Sequence, residues 1–344
     1  MDRVIQACYA AGDDLASLRH RFLNALNRAI PFEAAFFATA DPESLLFTSA
    51  FADDALAASA PLFLDNEYAP HHDVNRFADL AHATNPVASL DHVTGGDRRA
   101  SARWREIMDP LGLGDEARTA FRIDGTSWGF LCLHRSGDTG FSQRELNALR
   151  KVAPHVGEAI RRLVAARVDA PRLAGDQPHG AQALVLIAEQ RVLAVAGAID
   201  MIEGVPIVVG EPPPMPLMAV ARQLEAIESG VIDGPPAAVR LTDLNGAVVS
   251  VHAARLLDGS GDGPIALTIT RAASAERSSL LLAANGLTPA QRRVAELVLQ
   301  GRTTAQIVVE LRISAHTVQD HLKAVFDKIG VRSRRELVGT LLRF

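Results

Sequence analysis

Helix start and stop signals are written so densely into the C-terminal end of this chain that its local fold can be read residue by residue. From Gly286 the sequence runs GLTPAQRRVAELVLQGRTTAQIVVELRISAHTVQDHLKAVFDKIGVRSRRELVGTLL. Thr288-Pro289-Ala290-Gln291 is a capping box with proline at the first helical position. Gly301 supplies a left-handed stop. Thr303-x-x-Gln306 is a second capping box, opening a helix that ends near Leu311. Ser314 caps a third helix that runs to Gly330, and Ser333-x-x-Glu336 caps a fourth. The apolar positions of all four fit one core. In the third helix Val318, Leu322, Val325 and Ile329 recur at helical spacing, which leaves its opposite face polar.

A short helix, a tight turn at Arg312-Ile313-Ser314 and a longer helix with a polar outer face make a helix-turn-helix, whose second helix can lie in the DNA major groove. Charge points the same way. The segment from Asn285 to Phe344 carries ten Lys and Arg against five Asp and Glu, which is +5 in a chain of net charge −5. A basic module on an acidic body is what a phosphate-binding head would show. The plainer reading of the charge is a solvated surface on a small helical bundle.

The spacing of Leu287-Thr288-Pro289, Gly301, Ile307, Leu311, Ile313-Ser314, Thr317-Val318, His321, Lys328, Gly330-Val331 and Ser333-Arg334 resembles, without a gap, the LuxR/FixJ class of bacterial transcription regulators. The resemblance covers about one sixth of the chain. Two positions depart from it. Gln291 stands where the family usually has glutamate, and Gln306-Ile307-Val308 replaces a Glu-Ile-Ala run, so Val308 adds bulk where two helices approach. The resemblance implies that Gln319, Asp320 and Lys323 read base edges. Gln319 suits adenine and Lys323 suits guanine. Asp320 either accepts from cytosine or only repels phosphate. It also implies that Thr303, Ser314, Thr317, Arg332 and Arg334 contact phosphates, capping being the plain alternative for Thr303 and Ser314.

At 344 residues the chain has room for two or three domains. It has no run of the ~20 apolar residues a membrane span needs, and no apolar signal core follows Asp2 and Arg3. Cys8 and Cys132 are the only cysteines, too few for a disulfide framework or a cysteine zinc site. A reducing cytoplasm fits. Cys132, on an expected buried strand, reads as core filler before redox sensor.

Before the head, an amphipathic helix over residues 13–30 precedes a strand at Phe32–Thr39, which turns at Asp41-Pro42-Glu43-Ser44 into an antiparallel partner, Leu45–Ala50. A helical stretch follows around Val74–His82 and Ala100–Met108. Strands Ala117–Ile123 and Ser127–His134 close the unit, the second with Trp128, Phe130, Cys132 and His134 on one face. Ser142-x-x-Glu145 caps a long helix whose seam of Leu146, Leu149, Ala153, Val156, Ile160 and Leu163 serves either its own core or a dimer partner, with a kink expected at Pro154. This order resembles a GAF domain over residues 10–167, a small-molecule or regulatory sensor fold. An effector pocket is then expected at Phe37, Phe47, Phe121 and Trp128, for an apolar or aromatic ligand, with an empty, purely structural core as the alternative.

Pro171–His179 reads as a linker. Residues 181–273 hold strands near Ala183–Ile187, Arg191–Ala196, Ala237–Leu241, Ala247–Leu256 and Pro264–Arg271, with a helix from Leu217 to Ser229. They are similar to a PAS domain in which Gly210-Glu211-Pro212-Pro213-Pro214 displaces the usual helical middle. Residues 280–344 form the head, and the Leu280-Leu281-Leu282 run packs either on the sensor or on a dimer mate. The fold class is thus an α+β GAF-like sensor, an α+β PAS-like middle domain and an all-α four-helix head. No internal repeat is visible.

Enzymatic signals are sparse. There is no Gly-Lys pair, hence no G-x-x-x-x-G-K-[ST] phosphate loop. His71-His72-Asp73 with His82 reads as surface histidines before metal ligands, because adjacent histidines on a helix point about 100° apart. Asp115-Glu116 reads as a charged turn before catalytic carboxylates. No catalysis, cofactor or metal is expected. The expected partners are double-stranded DNA with a pseudo-palindromic operator, a second copy of the chain, a small-molecule effector and RNA polymerase, and no membrane. The competing reading is a ligand or redox sensor that works through protein contacts and carries a weak head.

Overall fold

The computed structural model describes residues 1–10, 14–68, 73–169, 181–199, 201–202, 204–232, 236–242, 247–257 and 263–341. His71, His72 and the Pro171–His179 linker lie outside them.

The chain opens with α1 (Asp2–Cys8) and α2 (Leu15–Asn27), the latter capped by the Asp14 carboxylate on the Ser17 amide. Strands β1 (Ala34–Ala40) and β2 (Phe47–Ala52) pair as a hairpin. Helices α3 (Asp54–Ala57), α4 (Ala60–Tyr68) and α5 (Phe77–His82) lead to β3 (Val87–Ser89) and α6 (Leu90–Thr94). After short 3-10 and π turns come β4 (Leu113–Ile123), β5 (Thr126–Ser136) and the long helix α7 (Gln143–Asp169). The sheet order is β2-β1-β5-β4-β3, antiparallel throughout.

The second sheet comprises β6 (Ala181–Ala188), β7 (Arg191–Gly197), β10 (Ala238–Thr242), β11 (Val248–Arg255) and β12 (Ile265–Arg271), crossed by α8 (Met215–Glu228). A separate ribbon joins β8 (Met201–Ile202) to β9 (Val205–Pro206). The order of the second sheet, β10-β11-β12-β6-β7, has the same succession as the first when the five strands are numbered in chain order, and again every pair is antiparallel. The chain therefore repeats a topology without repeating a sequence.

The first sheet separates two cores. Phe37, Phe121, Leu131 and Leu133 face α1, α2 and α7, whereas Phe36, Phe47, Phe130 and Cys132 face the other side. Trp128 was expected beside Phe130 and Cys132, yet it belongs to the first group. The pairing passes from Ala120↔Phe130 to Arg122↔Ser127, so β5 has one residue more than β4. This bulge breaks the two-residue alternation and turns the indole through the sheet. The four expected pocket residues consequently do not share a wall. Phe37, Phe121 and Trp128 lie on one side and Phe47 on the other.

The α7 seam turns inward. Leu146, Leu149, Ala153, Val156 and Ile160 are buried in the chain's own core, Ile160 at 1% exposure, so this face is not open to a second copy. The polar residues Arg144, Asn147, Arg150, Lys151 and Arg162 take the solvent face. No helix among the described residues is long and apolar enough to cross a membrane.

Four further helices follow α9 (Ser274–Ala284): α10 (Pro289–Leu299), α11 (Thr304–Leu311), α12 (Ala315–Ile329) and α13 (Arg334–Leu341). The leucine run on α9 is buried between these helices and α7, so it packs on the first unit of the same chain.

Candidate nucleic-acid interface

The four-helix head assembles as its caps dictate. Thr288 Oγ1 accepts from the Gln291 amide at 3.4 Å while Gln291 Oε1 accepts from the Thr288 amide at 3.1 Å. Thr303 and Gln306 repeat the exchange at 3.3 and 2.8 Å. Each such cap stabilises its helix by about 1 kcal/mol. Arg312 ends α11 in the left-handed region at φ 54°, and this sharp reversal lets Ser314 start α12 two residues later. Gly330 ends α12 at φ 77°, where a side chain would be strained. Val294, Leu297, Val298, Ile307, Val318, Leu322, Val325, Leu337 and Leu341 fill the core between the helices.

Burial of Val318, Leu322 and Val325 sets the rotation of α12 and points its other side outward. Gln319, Asp320 and Lys323 are all exposed there, and Lys323, three and four positions on, shares a face with each of the other two. Sequence reasoning passed over His316 on the same face. Its Nε2 lies 3.5 Å from Asp320 Oδ2 and competes with any base for that carboxylate.

The residues expected to touch phosphate sit at helix starts. Thr303 and Ser314 are exposed but spend their hydroxyls on capping. Ser314 Oγ accepts from the Thr317 amide at 3.0 Å and lies 2.9 Å from the Thr317 hydroxyl. Arg332 is exposed, its amide donating to Glu336 Oε2 at 2.7 Å. Arg334 is half-buried and donates to the carbonyl of Arg302 at 3.0 Å, so it braces α13 against the turn between α10 and α11 whatever else it does. Lys328 Nζ donates to the Gly286 carbonyl at 2.7 Å and to Gln291 Oε1 at 3.0 Å, which gives glutamine a use at the position where glutamate was expected.

The other expected sites look different in the structure. Asp115 and Glu116 do not form a charged turn but lie fully buried inside β4. Asp115 accepts from the Asp91 and Phe141 amides at 3.0 and 2.7 Å. Glu116 is gripped by Arg103 at 2.7 Å and by Arg118 at 2.9 Å, and Arg118 reaches Glu67 at 2.5 Å. Burial opposes its charge, but the two guanidiniums prevail and hold the Glu116 carboxyl far below the usual range. The signal for this network was three charged residues, Asp115, Glu116 and Arg118, standing close together in a strand flanked by Leu113, Ala117, Ala120 and Phe121. Asp73, proposed beside two histidines, instead accepts from Asn66 at 3.0 Å and Ser101 at 2.9 Å, and the His82 ring bonds the Ala78 carbonyl at 2.8 Å.

Ligand atoms of Glu116, Cys132 and His134 lie within 4.8 Å of one another. With Arg103 and Arg118 already on both carboxylate oxygens, the donor set does not fit a divalent cation. Burial also pushes the Cys132 thiol well above its usual range, as expected of core filler. The remaining cavity beside these groups is about 20 Å³, since Phe36, Phe47, Phe63, Phe77 and Phe130 pack the space. Trp128 lines a separate cavity of about 50 Å³ at the junction of the two sheets.

Comparison with known proteins places the head. The sequence pattern of "Bacterial regulatory proteins, luxR family" matches residues 285–341. The spore germination protein GerE of Bacillus subtilis (strain 168) is 44% identical over 57 residues, 17% of this chain and 77% of that protein. The chain belongs to the LuxR family of bacterial regulatory proteins, and its C-terminal unit is a LuxR-type DNA-binding regulator domain. Among solved structures, Escherichia coli SdiA aligns over 99% of this chain and 98% of its own with a TM-score of 0.36 and 10% identity. The bacteriophytochrome RpBphP3 of R. palustris aligns over 77% and 60% with a TM-score of 0.29 and 14% identity. Those scores are too low to establish a shared fold.

Proposed function

We propose that this chain is a non-catalytic, cytoplasmic transcription regulator in which a GAF-like first unit and a PAS-like second unit control a LuxR-type head. Two copies bind a pseudo-palindromic operator, because one head spans one half-site. The observation that carries the reading is the free face of α12, where Gln319 and Lys323 are exposed four residues apart on a helix anchored by three buried aliphatic side chains. The second copy is held through a surface other than the α7 seam. An effector acts by favouring one arrangement of the heads over another.

The test is selection of a binding site from random duplexes, followed by titration of the full chain. Gln319→Ala and Lys323→Ala should each weaken the selected site by about 1–3 kcal/mol and relax base choice. Unchanged affinity and selectivity in both variants would show that α12 is not the reader. Binding without any sequence preference would favour the alternative of a sensor acting through protein contacts.

A further inference from the structure

Where the two sheets, α9 and the head meet, the chain leaves an open cleft of about 550 Å³, within the range of small-molecule sites. We infer that this cleft binds a small organic amine with an apolar body. Its walls come from every part of the chain: Glu43 after β1, Gln223 on α8, Ser250 on β11, Glu276 on α9 and Glu296 on α10.

Three observations converge on that ligand class. First, the walls carry unused hydrogen-bonding capacity. Ser250 is 1% exposed and its hydroxyl has no partner among the described residues, and Gln223 Oε1 is likewise buried and without a partner among them. Buried polar atoms are ordinarily satisfied, and an amide oxygen can only accept, so the missing partner is an N–H or O–H donor. Second, among the described residues the lining includes four carboxylates and one cation. That cation, Arg240, is already committed to Asp41 and lies 3.0 Å from Glu43. The nearby Arg292 donates to Thr126 at 3.3 Å. A ligand anion would meet excess like charge, whereas an ammonium group would relieve it. Third, Ile227, Ile232, Val239 and Leu299 form an apolar floor that suits a hydrocarbon body.

The inferred site lies at the junction of the units and not inside the first one, so its occupancy depends on how the units are placed. Calorimetry without DNA reads amine binding independently of whether α12 reads an operator.

The full chain would be titrated with phenethylamine, phenethyl alcohol and phenylacetate. Phenethylamine should bind one per chain, and phenylacetate at least about tenfold more weakly, a difference of one decade in Kd. Glu296→Gln and Gln223→Leu should each weaken the amine. Ala275→Trp, which fills the cleft from an exposed position on α9, should abolish binding while circular dichroism shows an unchanged fold. No binding of phenethylamine at millimolar concentration would overturn the assignment. So would equal binding of phenylacetate, or undiminished binding by the folded Ala275→Trp variant.

Discussion

Arg240 on β10 clamps Asp41 at the end of β1, 199 residues away in sequence. Its Nε donates to Asp41 Oδ2 at 2.9 Å, its Nη2 donates to Oδ1, and its backbone amide donates to Oδ2 at 2.9 Å. The same guanidinium reaches the Glu276 carbonyl on α9 at 3.1 Å. One side chain therefore ties the second sheet to the first and to the helix that leads into the head.

Removing one partner of this pair leaves the other charge buried, so Asp41→Asn should lower unfolding free energy by about 3–5 kcal/mol. Burial alone would raise the Asp41 pKa, but Arg240 more than offsets it and holds the carboxyl low. Chemical denaturation of the full chain measures the change. A loss below about 1 kcal/mol would place the pair among ordinary surface bridges.

His134 should give the chain an acid sensitivity of its own. Burial drives its pKa from 6.5 down to about 4, with Arg118 and Arg103 acting in the same sense and Glu116, 3.9 Å away, opposing them. A depressed folded-state value means that the stability is complete above pH 6.5 and is lost as pH falls towards 4, by up to about 1.4 kcal/mol per pH unit. His134→Gln should flatten stability against pH between 6.5 and 4.5, where Glu116 does not yet titrate. An unaltered slope in that window would assign the sensitivity to other groups.

Ile160→Asp separates a core helix from a dimer seam. Because Ile160 is buried within its own chain, the aspartate should destabilise the fold by several kcal/mol, and the thermal midpoint should fall sharply. A stable, fully folded monomer in sedimentation would instead restore α7 as the interface between copies.

Arg332 and Arg334 should part company on substitution. Alanine at exposed Arg332 should leave stability within about 0.5 kcal/mol and lower the salt dependence of DNA binding by about one unit. Alanine at Arg334 removes its bond to the Arg302 carbonyl, so it should also lower the melting temperature of the head. Salt titrations and melts of the two variants decide the matter, and identical behaviour would contradict the bracing role of Arg334.

The head was legible because its information is local. Capping boxes at Thr288 and Thr303 and the three-four spacing of Val318, Leu322 and Val325 act within one or two turns. The first hairpin was equally plain from the turn at Asp41-Pro42-Glu43-Ser44. What sequence could not give was anything that depends on partners far along the chain. The side of the sheet taken by Trp128 depends on a bulge set against β4. The burial of Glu116 depends on Arg103 meeting it from a helical turn and Arg118 from the same strand, and that of Asp115 on the Asp91 and Phe141 amides. The common order of the two sheets emerges only from pairings across dozens of residues. The cleft at their junction needs all three units in place.

Helix α9 buries its leucines against α7 on one side and the head on the other, and Ser278 Oγ donates to the Leu341 carbonyl at 3.0 Å across that contact. The hydrophobic interior of the head thus continues without a break into that of the first unit. Portability is the casualty. A chimera that grafts residues 285–341 onto a foreign sensor would leave the head's inner flank uncovered. A working exchange must carry α9 together with an α7 shaped to receive it.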